Sequence, residues 1–172
     1  MAASSHPVDQ LIRELIARNR PAAPEEIARV VARLAVAPFN PDRVRVPARE
    51  RGVSYRGQTL GPHEPSLVYH LVKRVMIERQ WALGTSAAQY VGDLHRATRR
   101  AQTRIGLYGG RGDWLAVAIA STVDVIPVRR QGEQTLSNLL VLYSAGRGMI
   151  RTGYQFSGTS QVDVPPEVQW LK

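Results

Sequence analysis

Thr152 and Tyr154 stand two residues apart in Met149-Ile-Arg-Thr-Gly-Tyr-Gln-Phe-Ser157, so on a β-strand their hydroxyls share a face. His70, Lys73 and Arg74 are spaced three and four apart, which gathers an imidazole and two cations on one side of a helix. Imidazole, cation and hydroxyl form a set sufficient for metal-free RNA cleavage. In that reaction the ribose 2′-hydroxyl attacks the neighbouring phosphate, so one proton must be removed, another supplied, and the added phosphate charge stabilised. Histidine, with a reference pKa near 6.5, suits the proton work. Arginine and hydroxyl donors suit the phosphorane oxygens. The plainer alternatives are two β-forming hydroxyls with satisfied hydrogen bonds and a solvated His-Arg pair.

Two elements must position these groups. Leu67, Val68, Leu71, Val72 and Val75 recur at helical spacing, which predicts a helix over Ser66–Trp81 with His70, Lys73 and Arg74 opposite its apolar stripe. Ile77 and Trp81 fall on the side of His70, so that side is not fully wet. Arg79 projects from the apolar side near the helix end, where its head must snorkel out or meet an anion. The second element is the hairpin over Leu139–Ser157, two apolar runs separated by Ala-Gly-Arg-Gly. Its first run is apolar on both faces, which predicts a hairpin in the middle of a sheet. Period-2 geometry puts Ile150, Thr152, Tyr154 and Phe156 on one face of its second strand, with Arg151, Gly153 and Gln155 on the other.

The remaining chain supplies the frame. Val8, Leu11, Ile12, Leu15 and Ile16 predict an amphipathic helix; Ala23-Pro-Glu-Glu26 starts another, and the pair makes a helical hairpin over residues 1–46. Residues 47–65, rich in proline, arginine and glycine, form a loop or linker with an edge hairpin at Val53–Leu60. Residues 66–172 form the main unit. In it Gly84-Thr-Ser86 ends one helix and caps the next, whose stripe is Ala87, Tyr90, Val91, Leu94 and Ala97. Ile105–Tyr108 and Trp114–Ala120 flank a Gly-Gly-Arg-Gly-Asp turn as a second hairpin, and residues 124–134 hold a short strand and a loop. Helices first and antiparallel strands afterwards make the fold class α+β, a sheet meander packed on helices.

Composition bounds the partners. The net charge is +9, and every basic residue except Lys73 and Lys172 is arginine, which favours a polyanionic partner, although a GC-rich genome also raises arginine. Arg96, Arg99, Arg100 and Arg104 form either a phosphate-tracking face or a solvated one. With no cysteine there is no thiol nucleophile, disulfide or Cys-bearing zinc site. No apolar run approaches the roughly 20 residues of a membrane span, and Met1–His6 lacks a signal-peptide pattern, so a cytoplasmic location is expected. Neither a P-loop, an H-E-x-x-H nor a nucleophile elbow occurs, and no cofactor is expected.

The H-L-V-K-R-V helix, the G-T-S-A-A-Q-Y helix start, the alternating strands and a late strand ending T-G-Y resemble the RNase A-like toxin domains of bacterial contact-dependent inhibition systems. The likeness covers roughly residues 66–157. More loosely, they resemble the wider barnase, EndoU, colicin and RelE-type nucleases. That resemblance implies a catalytic set of His70, Thr152, Tyr154 and either Arg74 or Arg79. It also implies cleavage to a 2′,3′-cyclic phosphate, an RNA partner such as tRNA, and a neutralising immunity or antitoxin protein. Lys73, Arg96, Arg99, Arg100, Arg104 and Arg151 would then bind RNA. Two other function classes fit the same chain: a non-catalytic nucleic-acid-binding module, and an interaction protein docking through its N-terminal helices. Only a nuclease turns RNA over substoichiometrically, and only the interaction protein lacks salt-sensitive RNA binding.

Overall fold

Proline and acidic residues open the first two helices, in the second as the sequence predicts. In a computed structural model, which describes residues 2–127, 129–131 (backbone only), 133–158 and 164–172, α1 spans Pro7–Arg18 and α2 spans Pro24–Leu34. The His6 ring accepts the Val8 N–H at 3.1 Å, and the Glu26 carboxylate accepts the Ala23 N–H at 2.9 Å. Strand β1 (Arg43–Arg45) pairs antiparallel with β4 (His63–Pro65), enclosing the small hairpin of β2 (Ser54–Tyr55) and β3 (Gln58–Thr59). Helix α3 (Ser66–Val72) follows and widens into a π-helical turn over Lys73–Ile77. Helix α4 (Ala87–Arg99) starts at Ser86, which exchanges reciprocal capping bonds with Gln89 at 3.0 and 2.8 Å.

Strands β5 (Arg104–Gly110) and β6 (Asp113–Ser121) meet at Arg111 and Gly112, both with positive φ, 51° and 77°. That is the turn a right-twisted two-residue hairpin needs. A short antiparallel pair, β7 (Arg129–Gln131) and β8 (Gln134–Leu136), precedes β9 (Asn138–Ser144) and β10 (Met149–Phe156), and β11 (Gln169–Trp170) ends the chain. Val128 and Gly132, within the expected strand-and-loop segment, lie outside the described residues. The main sheet is antiparallel in the order β10-β9-β6-β5-β11, so the protein is α+β.

The sheet buries one face against the helices. Ala116, Ala118, Val141 and Tyr143 from the sheet share one core with Ile12 and Leu15 of α1, Leu34 of α2 and Tyr90 and Leu94 of α4. Residues of 1–46 therefore contribute to the same core as the sheet. The outer face carries a smaller cluster of Tyr108, Leu115, Val117 and Leu140, with Tyr154 and Phe156 against it.

Two expectations for the late hairpin are corrected. β9 is interior, but β10 is an edge strand and not part of the sheet's middle. Also, the β9–β10 register shifts between Ile150 and Thr152. Arg151 is thus the extra residue of a bulge. Ile150 consequently packs in the helix-side core with the face of Gly153 and Gln155, while Thr152, Tyr154 and Phe156 take the outer face.

Candidate active site at the edge of β10

An edge strand presents unpaired backbone groups, and here the backbone around Phe39 and the side chains of Arg74, Gln80 and Tyr90 occupy them. Ile150 donates to Pro38 O and accepts from Asn40 N, both at 2.8 Å. Gly153 O accepts from Tyr90 Oη at 2.6 Å and from Arg74 Nε at 3.1 Å, and Gly153 N donates to Tyr90 Oη at 3.2 Å. The Gln80 side-chain amide completes the edge as a surrogate strand: Gln155 N donates to its Oε1 at 2.8 Å, and its Nε2 donates to Gln155 O at 3.1 Å.

This closure explains why the expected Ser66–Trp81 helix stops early. The i→i+5 bond from Glu78 N to Lys73 O widens the last turn, and Arg79 then takes a left-handed conformation with φ 54°. That reversal brings Gln80 onto β10. Of the two residues expected beside His70, Ile77 is exposed, whereas Trp81 is buried and donates through Nε1 to Asp93 at 2.9 Å.

The edge closure also assembles the predicted residues. Thr152 Oγ1 lies 3.3 Å from His70 Nδ1 and accepts from Arg74 Nη2 at 2.9 Å. Arg74, expected on a polar helix face, is buried and pairs with Glu78 through Nη1 at 2.6 Å. All three of its nitrogens are thus committed within the protein: Nε to Gly153, Nη1 to Glu78 and Nη2 to Thr152. Its guanidinium carbon lies 5.1 Å from the centre of the Tyr154 ring, so Tyr154 joins the cluster through Arg74. The His70 ring is held between Phe39, edge-on at 5.7 Å, and Tyr69 at 5.2 Å. Burial first, then the Arg74 and Lys73 charges, lower the His70 pKa from 6.5 to about 3. The ring is neutral at pH 7.

A cavity of about 470 Å³ opens beside this cluster on the outer sheet face, bounded by His70, Thr152, Tyr108 and Leu142 and by the guanidinium-bearing Arg111 and Arg151. The bulge turns Arg151 outward, 3.9 Å from Asp113. Arg111, at the tip of the β5–β6 turn, was legible in sequence only as part of a glycine-rich loop. Of the residues that hold β10 and His70, Tyr90 was legible only as part of the α4 apolar stripe and Phe39 carried no sequence signal.

Other predicted residues lie elsewhere. Arg79 is exposed past the helix and takes no part in the cluster. Lys73 turns to the Tyr69 hydroxyl at 3.4 Å, which itself donates to buried Glu50 at 2.5 Å. Arg96 pairs with Asp93 at 2.6 Å, and Arg99 and Arg100 are exposed at the end of α4. Arg104 stacks on Trp170, 3.9 Å from its ring centre. The four arginines of the expected RNA-binding face thus divide between α4 and β5.

Among the described residues no helix is long and apolar enough to cross a membrane, and no group of three or more His, Asp or Glu side chains is placed to hold a metal ion. Compared with protein-family models, curated proteins and solved structures, the chain matches none.

Proposed function

We propose that the protein is an endoribonuclease that needs no metal ion. The observation that carries this reading is the neutral His70 imidazole, held by the Thr152 hydroxyl, on the wall of a cavity that also presents Arg111 and Arg151. A phosphodiester in that cavity meets two guanidinia suited to non-bridging oxygens and a ring able to accept a proton. The 2′-oxygen forms a bond to phosphorus as its proton passes to His70. The bond from phosphorus to the 5′-oxygen breaks, and that oxygen takes the proton back from the imidazolium. The products are a 2′,3′-cyclic phosphate and a 5′-hydroxyl.

In this scheme Arg74 is a positioning residue. Its three nitrogens serve Gly153, Thr152 and Glu78, so it holds the hydroxyl that holds His70. Tyr154, beside it, fixes the guanidinium plane. Lys73 and the arginines of α4 lie outside the cavity and act through long-range attraction of the polyanion.

The test is turnover of unstructured RNA and tRNA by catalytic amounts of protein, with and without EDTA, against His70→Ala. The expected result is EDTA-resistant cleavage to cyclic-phosphate ends, with DNA spared and a loss on the order of 10²-fold or more in the variant. Products with 5′-phosphates, or salt-sensitive RNA binding without turnover, would overturn it; the second outcome would identify a binding module.

A further inference from the structure

The outer sheet face carries a second cavity, of about 370 Å³, whose walls include Arg104, Asn138, Phe156 and Trp170. Its position follows from strand register. Thr152 pairs with Leu142, Leu142 with Val117, Val117 with Gly106, and Gly106 with Trp170. Thr152 and Trp170 therefore end a single cross-strand row on one face. Four inter-strand steps of about 4.8 Å put them roughly 19 Å apart. Glycine is required in that row: a Cβ at Gly106 would stand 2.7 Å from Val168 Cγ2 and 3.0 Å from Trp170 Cε3. Without it the indole rests on the sheet, and Arg104 stacks upon the indole at 3.9 Å.

The geometry points to a nucleobase subsite for single-stranded RNA in this second cavity, working with the phosphate site at His70. This rests on the ribonuclease reading above. The Phe156 ring and the outer plane of the Arg104 guanidinium, backed by the Trp170 indole, offer stacking surfaces that accept any base, and the Asn138 amide offers a donor and an acceptor to a base edge. A polyanion drawn by the net charge of +9 supplies base and phosphate together, which an acidic protein surface does not. At about 3.4 Å per stacked nucleotide, the row spans roughly six nucleotides. The enzyme should therefore favour oligonucleotides over dinucleotides.

The test uses the full chain and a fluorescent, fully 2′-O-methylated RNA octamer, which cannot be cleaved because its 2′-hydroxyls are blocked. Trp170→Leu and Phe156→Leu remove a stacking ring without changing charge, and Arg104→Gln removes the guanidinium; circular dichroism establishes that each is folded. Octamer affinity should fall about fivefold or more in Arg104→Gln and in at least one ring variant, while cleavage of a dinucleotide stays unchanged in the ring variants. Unchanged octamer affinity in all three folded variants would overturn the subsite, as would an equal loss for the dinucleotide. If the wild-type protein leaves unmodified RNA intact yet the variants lose octamer affinity, the nuclease reading fails while the subsite stands.

Discussion

The Thr152 hydroxyl stands between two basic groups, 3.3 Å from His70 Nδ1 and 2.9 Å from Arg74 Nη2. Its oxygen can accept from the guanidinium and, through its second lone pair, from His70 Nδ1–H; that is the tautomer the proposed mechanism requires, because it leaves the Nε2 lone pair free to take a proton. Thr152→Val keeps the shape and removes the oxygen. Arg74 then loses a partner inside the protein, and stability should fall by about 1–3 kcal/mol in urea denaturation. Thr152→Ser should retain both the stability and the activity.

His70 ties stability to pH with a defined sign. Its folded pKa, about 3, lies below the reference 6.5, so between these values the unfolded chain binds a proton that the folded chain does not. Stability from this residue is complete above pH 6.5 and declines as pH falls toward 3, by at most about 1.4 kcal/mol per pH unit. His70→Gln should lose that slope, measured as the difference between wild-type and variant unfolding curves across the window. In kinetics, the acid limb of kcat/KM should lie well below 6.5. A bound phosphate favours the imidazolium, so the limb of kcat should lie higher.

Arg74 and the two cavity arginines should separate in their effects. Arg74 is buried with Glu78 at 2.6 Å, and Arg74→Ala should cost about 3–5 kcal/mol by stranding Glu78 and opening the β10 edge. Arg111 and Arg151 are exposed. Replacing both with alanine should change stability by less than about 1 kcal/mol, taken over two surface sites. The same double change should weaken RNA binding and lower its salt slope by up to about two. An unchanged slope would remove them from the phosphate site.

Gly153 is constrained by packing: a Cβ there would lie 2.7 Å from Leu94 Cδ1 and closer still to Cδ2, and Leu94 is fully buried. Gly153→Ala should destabilise by about 1–3 kcal/mol. Because Gly153 follows Thr152 and bonds Tyr90 and Arg74, the change should also depress cleavage in the fraction that remains folded.

The four helices of the described residues, the α+β class and both long hairpins were legible in the sequence, since each follows from local rules. Ser86 and Gln89 cap α4 through bonds within one turn, and the apolar stripe of Tyr90, Leu94 and Ala97 follows helical period. The pairing of His70 with Thr152 was foreseeable only as chemistry that needed a shared cleft, because the two residues are 82 positions apart. Tertiary structure decided the rest. Whether β10 is an edge depends on which strands pair with it, and a bulge that turns Arg151 outward and moves Thr152 to the outer face leaves no trace in residue type. The Ser66–Trp81 pattern is helical by period, yet Gln80 gains more from completing the β10 edge than from another helical turn. Arg74 reads as a surface cation by composition. Burial is affordable only because Gly153, Thr152 and Glu78 converge on its three nitrogens, and that convergence exists only once the helix lies against the strand.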